Sequence, residues 1–325
     1  MKNITKFIYV AFLATSSFVF GQQNKGATPI ATVAETKMLF WDLPHLKEAF
    51  ISISPTNKSD GYEVGELGVN GGNKDMIIKF AQELGNNKLG KYDSFLISHK
   101  GKFLFESYYK RGRINLPHPQ ASATKSYTGL ILGRAVQLGY LTMSDLDKPL
   151  VSFLKDLEPS KFAQGIGEIT LHQALTMTTG IRVSSENKKK IRNNPKFKGQ
   201  KLVQALLEHS DPITAEAQMF KYSDGPELVM QVVGAVVPGT AQDFIKNEFF
   251  DKMGITNYGW RSAVSGLPKS GGGVSITSRD MVKLGILVMN KGRWQGEQLI
   301  PEEFMTQAIS RINYSADDVK VFGGG

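Results

Sequence analysis

The amino-acid sequence predicts a mixed α/β (α+β) fold that combines a small sheet with a largely helical region. Two short apolar segments near residue 100 are separated by His99-Lys-Gly101, a pattern typical of a β-hairpin. From residue 122 to about residue 250 the apolar side chains recur at helical spacing, and residues 279–290 predict a further amphipathic helix. Strands and helices are therefore grouped in different parts of the chain, which is typical of α+β proteins.

The strand region begins with a predicted helix at residues 74–84, which stops at Gly85. The hairpin strands are residues 94–98 and 102–106. A lone two-stranded hairpin is only marginally stable in water. We therefore expect these two strands to belong to a larger sheet.

The helical region is predicted from apolar runs punctuated by Gly180 and Gly239. After residues 279–290, another helix is expected to begin at Pro301, because proline is well tolerated at the first helical position. The remaining predicted helices are residues 122–141, 171–177, 201–209, 226–237 and 240–253.

Composition limits the kind of protein this chain can be. With 325 residues, 41% of them hydrophobic, the chain can build a substantial core in one or two domains. The absence of cysteine excludes disulfides, thiolate metal sites and lipid attachment through cysteine. The formal net charge is +9, and basic residues are concentrated at positions 188–201. We interpret this run as a solvated loop; the alternative is a basic rim that attracts anionic substrates or envelope polymers. It lacks interleaved aromatic residues, so no nucleic-acid partner is expected.

The N-terminus resembles a secretory signal peptide. A basic start is followed by a short apolar stretch, and cleavage is expected near Gly21, which predicts a periplasmic or secreted protein. The alternative is an uncleaved membrane anchor. Residues 22–37 are expected to be mobile, and no later segment is apolar over the length that spans a membrane.

Ser122 and Lys125 are the first candidates for catalysis. They open an apolar helical run, and residues three apart on a helix share one face, with about 5–6 Å between their Cβ atoms. A serine hydroxyl is a weak nucleophile unless a neighbouring base accepts its proton, and a lysine amine can be that base. The pair therefore predicts nucleophilic catalysis at Ser122; the alternative is a serine that caps a core helix.

The same Ser-x-x-Lys pattern begins at Ser107, Ser152 and Ser185, so the pattern alone is weak evidence. Ser107 lies in a strand-like segment, where positions three apart point to opposite faces. Ser152 lies in a polar stretch, and Ser185 leads into surface lysines. Only Ser122 follows an exposed-looking proline loop and precedes a long apolar helix.

Tyr222 is the third catalytic candidate, in a Tyr222-Ser-Asp224 turn that precedes a predicted helix. If its phenol approaches Lys125, a protonated lysine favours the phenolate, whereas burial favours a neutral lysine. Either group could then accept the serine proton, and the two would titrate as a coupled pair. Which of the two is the first base stays open.

Four segments, taken in order, form a pattern that none of them forms alone. They are Ser122-Ala-Thr-Lys-Ser126, Ile169-Thr-Leu-His-Gln-Ala-Leu-Thr-Met-Thr-Thr-Gly180, Tyr222-Ser-Asp224 and Gly271-Gly-Gly-Val-Ser-Ile-Thr-Ser-Arg-Asp280. Together they resemble the β-lactamase-related serine hydrolases, and more narrowly their class C and esterase branch. The resemblance extends over roughly residues 90–310.

The resemblance implies helices packed on an antiparallel sheet, an all-helical subdomain and a catalytic cleft between them. Within a domain of residues 38–325, the α/β part would comprise residues 38–110 and 255–325, and the mainly helical part residues 111–254. The resemblance also implies an acyl-enzyme on Ser122, with Lys125 and Tyr222 as the proton-transfer pair.

Two departures from the family pattern bear on the substrate. Asp224 stands where the family usually has asparagine, and a carboxylate can only accept hydrogen bonds and would repel an anion. This favours ester or amide substrates, including ones with an amino group, over β-lactams. No Lys-Thr-Gly or His-x-Gly follows Tyr222, so we expect either a chain that lacks its final strands or a substitute role for residues 323–325.

Further substrate-binding candidates are Gly272 and Gly273, at a tight turn near the cleft, and His118, four residues before Ser122. The five histidines are scattered and form no zinc spacing, so neither a metal nor a cofactor is expected.

The leading hypothesis is a secreted or periplasmic serine hydrolase that cleaves a small ester, amide or peptide through Ser122, with β-lactams and D-amino-acid peptides among the candidate substrates. The competing hypothesis is a non-catalytic envelope-binding or sensor protein that retains the cleft. The sequence does not determine the oligomeric state.

Overall fold

A computed structural model of the chain describes residues 27–310. The predicted signal peptide with its cleavage position, and the glycines at 323–325, lie outside these residues. Part of the segment predicted to be mobile is described, and it packs onto the domain. Ala31 is buried and bonded through its amide to Asn115, and Glu35 pairs with Arg113 at 2.7 Å.

The larger sheet has four strands, and the predicted hairpin lies within it, as expected. Strand β4 pairs antiparallel with β1 and β3 and parallel with β2. The turn between β3 and β4 has positive φ at Lys100 and Gly101, as two-residue hairpin turns of the favoured type require. The strands are β1 Phe50–Ser52, β2 Glu63–Val64, β3 Ser94–His99 and β4 Lys102–Tyr108.

A smaller antiparallel sheet, in the order β5-β7-β6, joins segments that are far apart in the sequence. It pairs the residues just before Ser122 with the strand that follows the glycine segment, Gly271-Gly-Gly273, so it positions the candidate site. Its strands are β5 His118–Pro119, β6 Tyr258–Trp260 and β7 Val274–Ile276; a separate hairpin contains β8 Arg293–Trp294 and β9 Glu297–Gln298.

The described helices agree in position with those predicted, with one exception. The basic run was interpreted as a loop, but residues 185–193 form a helix capped by Ser184, whose side chain accepts from the Asn187 amide. The α-helices are α1 Lys74–Gly85, α2 Thr124–Gln137, α3 Leu171–Leu175, α4 Ser185–Asn193, α5 Gln200–Glu208, α6 Gly225–Val236, α7 Ala241–Phe244, α8 Ser278–Met289 and α9 Glu302–Ala308. The helix predicted over 240–253 is α7 followed by a π-helix, Ile245–Phe250, and a 3-10 turn, Asp251–Met253.

Helices α2 and α6 form the centre of the main hydrophobic core. Ile131 and Leu132 of α2 and Val229 and Val232 of α6 are fully buried. Each such side chain stabilises the fold by about 1.5–3 kcal/mol relative to an exposed position. Since α2 is buried on most of its sides, its first turn is held firmly beneath the candidate nucleophile.

Within residues 27–310 no single helix has the length and apolar content to cross a membrane, although α6 and the helical segment 241–253 meet that criterion jointly, with a 92° bend between them.

A buried ion pair connects α8 to the larger sheet. The guanidinium of Arg279 binds both carboxylate oxygens of Glu106, at 3.1 and 2.8 Å, and also contacts Asp60 at 2.8 Å. Glu106 has no exposed surface, and the Tyr62 hydroxyl donates to the Arg279 carbonyl. Because a buried carboxylate is costly without its partner, this pair holds α8 in one position on the sheet.

Replacing Arg279 with methionine should therefore lower the free energy of unfolding by about 3–5 kcal/mol, because it leaves Glu106 buried without its cation. Denaturant unfolding followed by circular dichroism measures this. The matched control is Lys102→Met, which breaks an exposed pair with Glu63 and should cost less than about 1 kcal/mol. Equal losses in the two variants would contradict the proposed importance of Arg279.

Candidate active site

Ser122 lies in a single 3-10 turn, Ala121–Ala123, between β5 and α2, and its side chain is exposed. Gln120 fixes this turn. Its backbone N–H donates to the Val274 carbonyl at 2.9 Å, and its side-chain amide donates to the His118 carbonyl and accepts from the Tyr127 hydroxyl. Ala121 has a φ of +43°, which a residue with a Cβ adopts at some energetic cost. The turn is thus held in a strained conformation that presents the hydroxyl to solvent.

Lys125 lies close to Ser122, as predicted for residues three apart in a helical segment. Its Nζ is 3.3 Å from the Ser122 Oγ and donates to the Gly271 carbonyl oxygen at 2.8 Å. Gly271 lies almost 150 residues further along the chain. Its hydrogen bond with Lys125 fixes the lysine amine beside the serine hydroxyl.

Tyr222 completes the group of predicted catalytic residues. The Lys125 Nζ is 4.6 Å from the centre of its ring, and the ring is about half exposed. Burial alone would raise the pKa of the phenol, but hydrogen bonds with the Lys125 and Ser122 side chains, together with the lysine charge, lower it below its ordinary value. The structure therefore brings Ser122, Lys125 and Tyr222 together.

The glycine segment contributes one cleft residue, and it is Gly271. The Gly272 carbonyl accepts from Arg261 at 3.0 Å, and a Cβ on Gly273 would lie 2.8 Å from the Lys269 carbonyl oxygen. Gly272 and Gly273, predicted to bind substrate, thus support the turn that aims the Gly271 carbonyl at Lys125.

His118 does not reach the cleft, although its position in the sequence suggested that it could bind substrate. Its ring is buried, lies against Phe40 and is 3.4 Å from the Ser278 hydroxyl. Burial lowers the pKa of this imidazole. In β5 His118 is buried and Pro119 is exposed, because neighbouring residues of a strand point to opposite faces.

Asp224 does line the cleft, but its carboxylate is already paired. One oxygen lies 3.1 Å from the Lys188 Nζ and 3.2 Å from an Arg192 nitrogen. Burial would raise the pKa of this carboxyl, but the charge of Arg192 and the hydrogen bond and charge of Lys188 hold it below its ordinary value. The sequence places both cations in the basic run, with a basic rim as one interpretation, but their pairing with Asp224 was not predicted. Their four-residue spacing places them on one face of a helix.

Two cavities meet at Lys125. One, of about 850 Å³, is mainly polar and extends past Tyr222 and Asp224 to helix α4. The other, of about 930 Å³, is mainly apolar and lies between α2, α8 and α9. In the described part of the chain, no group of three or more histidine, aspartate or glutamate side chains is placed to hold a metal.

The other Ser-x-x-Lys patterns differ from this arrangement. The Ser107 hydroxyl donates to the Phe95 carbonyl within the sheet, and the Ser152 hydroxyl donates to the Pro149 carbonyl. In the pattern that begins at Ser185, the lysine is Lys188, and it forms an ion pair with Asp224. Each of these groups has a structural partner.

The lowered pKa of Tyr222 leads to a titration experiment. Because its surroundings favour the phenolate, Tyr222 should ionise at a lower pH than the buried phenols of Tyr109 and Tyr127, whose pKa values burial raises to about 12. Ultraviolet difference spectra across pH should show this early step. Tyr222→Phe should remove it and Lys125→Met should move it to higher pH, whereas an early step that survives Tyr222→Phe would contradict the assignment.

Comparison with known proteins identifies the family and the fold. The model of the protein family named Beta-lactamase matches residues 93–325. No curated protein matches the chain in sequence. Solved structures of similar fold include a Bacillus anthracis protein assigned as a 6-aminohexanoate-dimer hydrolase, with 17% identity and a TM-score of 0.57 over 88% of this chain and 78% of that one.

A D-stereospecific amidohydrolase from Streptomyces shares 18% identity and a TM-score of 0.52, over 73% of this chain and 78% of that one. A class C β-lactamase shares 16% identity and a TM-score of 0.52, over 72% and 68%. At such identities the similarity demonstrates the fold, and the family match covers most of the chain. The chain belongs to the Beta-lactamase family and has its serine-hydrolase fold.

Proposed function

We propose that this protein is a secreted or periplasmic serine hydrolase that cleaves an ester or amide through an acyl-enzyme on Ser122. The observation that carries the proposal is the position of the Lys125 amine, 3.3 Å from the Ser122 oxygen and 4.6 Å from the centre of the Tyr222 ring. A nucleophile beside a fixed base is the arrangement that covalent catalysis needs.

In the first half-reaction the Ser122 oxygen attacks the carbonyl carbon of the substrate, and its proton passes to Lys125 or Tyr222. The bond to the leaving group then breaks, and the leaving group takes up that proton. In the second half-reaction water loses a proton to the same base and attacks the acyl carbon, which releases the acid and restores the serine hydroxyl.

Two proton arrangements are compatible with the contacts. A neutral Lys125 amine can donate to the Gly271 carbonyl and direct its lone pair at the serine hydroxyl. Alternatively, a protonated Lys125 stabilises a Tyr222 phenolate, which then accepts the proton. The lowered pKa of Tyr222 supports the second arrangement.

The substrate class is inferred from chemistry and from relatives of the same fold. Two of these relatives, by their names, hydrolyse a 6-aminohexanoate dimer and amides of defined stereochemistry. Small esters and amides, including D-amino-acid peptides, are the substrates we infer here. β-Lactams are less favoured, because Asp224 offers a carboxylate where an amide would donate to the substrate carbonyl.

Labelling with a fluorophosphonate probe tests the nucleophile. The parent protein should form a covalent adduct, and Ser122→Ala should abolish it. The matched control is Ser152→Ala, which removes the exposed serine of another Ser-x-x-Lys pattern and should label like the parent. Lys125→Met should reduce the labelling rate by about 100-fold or more, since general-base catalysis typically contributes that much.

An unlabelled parent protein, or an adduct that survives Ser122→Ala, would reject the proposal. In the first case, binding of a peptidoglycan peptide without hydrolysis would support the non-catalytic alternative.

Substrate preference gives a second measurement. We expect p-nitrophenyl acetate to be hydrolysed with a kcat/KM at least about tenfold above that for nitrocefin, because an activated ester requires less transition-state stabilisation by hydrogen-bond donors. Both activities should disappear in Ser122→Ala. Faster turnover of nitrocefin than of the ester would instead identify a β-lactamase.

A further inference from the structure

The polar cavity beside Tyr222 carries an excess of positive charge that the hydrolytic chemistry does not use. We call this cavity the basic cleft; it is the space of about 850 Å³ between Tyr222 and helix α4. Its lining contains three acidic side chains, Asp211, Asp224 and Glu227. The six basic side chains of the lining are Lys125, Arg182, Lys188, Arg192, Lys221 and Lys269.

One face of α4 supplies the far wall of the basic cleft. Ser185, Lys188 and Arg192 line it, and their spacings of three and four residues place them on the same side of the helix. Lys190 is on the same helix but does not line the cleft; it is exposed and pairs with Glu186 at 2.7 Å. The basic run is therefore divided into a face toward the cleft and a face toward solvent.

The carboxylates of the cleft do not balance its cations. Lys188 and Arg192 share Asp224, and Arg192 also contacts Glu227 at 3.2 Å. The guanidinium of Arg182 donates to the Ile181 and Ala217 carbonyls, which carry no charge.

Lys269 also lines the basic cleft, from the loop that leads to Gly271, and its side chain is exposed. Among the described residues, no carboxylate lies within 4.0 Å of its amine. Glu227 does not compensate fully for this charge, because burial raises the pKa of its carboxyl despite the nearby Arg192 and Lys269. A negatively charged group in the cleft would thus meet cations from α4 and from the loop before Gly271.

We propose that the basic cleft binds a carboxylate of the substrate, held by Lys269 and by the Lys188–Arg192 face of α4. The preferred substrate is then an ester or amide with an acidic substituent. This inference rests on the proposed hydrolysis at Ser122. Without Lys125, which the proposed hydrolysis uses, the lining has five basic and three acidic side chains. An ammonium group would meet this excess of positive charge, which opposes the amino-bearing substrate that Asp224 alone suggested.

A matched pair of esters tests the inference. The mono-p-nitrophenyl ester of glutaric acid carries a free carboxylate, and its methyl ester is the neutral counterpart. At low ionic strength the parent should hydrolyse the acid with a kcat/KM at least about fivefold above that of the neutral ester, and added salt should reduce the ratio because partly exposed charges are screened.

Two variants identify the residues responsible. Lys269→Gln should lower the acid-to-neutral ratio by about threefold or more, and Lys269→Glu should invert it. The control Lys190→Gln removes a charge of the same kind from the solvent face of α4 and should leave the ratio unchanged. An equal fall of the ratio in Lys190→Gln would show a long-range effect of net charge and would overturn the proposed site.

A binding measurement separates this inference from the proposed function. In the full chain carrying Ser122→Ala, isothermal titration calorimetry compares glutaric acid monoanilide with its methyl ester, neither of which needs to be turned over. The carboxylate site is supported if the monoanilide with the free carboxylate binds more tightly than its methyl ester, and if Ser122→Ala/Lys269→Glu loses this difference. This holds even if both p-nitrophenyl esters resist hydrolysis. If both esters are hydrolysed with an acid-to-neutral ratio of kcat/KM near one, and both anilides bind equally, the carboxylate site is rejected. The hydrolase proposal then remains intact.

Discussion

The contact between the Lys125 amine and the Gly271 carbonyl is the constraint on which the candidate site depends. Without it, a long flexible lysine in a half-exposed position would lose side-chain entropy each time it approached the serine. With it, the amine is held 2.8 Å from the carbonyl oxygen and 3.3 Å from the serine hydroxyl. The geometry of the candidate site is thus a property of two segments far apart in the chain.

That contact in turn depends on the small sheet. β7 pairs with β5 on one side and β6 on the other, and the Thr124 hydroxyl accepts from the Val274 amide at 3.3 Å. The glycine segment and the 3-10 turn that contains Ser122 are therefore fixed to the same three strands. A site supported by strands and by the first turn of a buried helix keeps its geometry better than one supported by loops alone.

Local patterns in the sequence predicted the elements whose stability is local. The hairpin around Gly101, the core helix α2 and the helix start at Pro301 all follow from periodicity and turn chemistry. Strands β1, β2 and β5, of two or three residues each, carry no such periodicity, and pairing with residues distant in the chain determines them. The same distinction explains why the Ser122–Lys125 pair could be predicted, whereas Gly271 could be placed near the cleft only through resemblance.

Helix α4 was misinterpreted because a dense run of lysines is typical of solvated loops, and Asn193-Asn-Pro195 marks a break. The Ser184 cap and the four-residue spacing of Lys188 and Arg192 were the signals that favour a helix. Lysine and arginine are good helix formers, so a basic run with a cap at its start is compatible with a helix as well as with a loop.

The consequence of that misinterpretation is largest at Asp224. Considered alone, a carboxylate in the cleft repels anions and attracts ammonium groups, and the sequence led to that expectation. In the structure, the same charge lies within 3.2 Å of two cations from a helix more than thirty residues earlier, and its low pKa keeps it ionised and paired. A paired carboxylate orients its cations and reduces their mutual repulsion, so it allows Lys188 and Arg192 to approach each other at the cleft. The sign of the field that a substrate meets is therefore set by the whole lining, and a single acidic residue in a motif does not determine it.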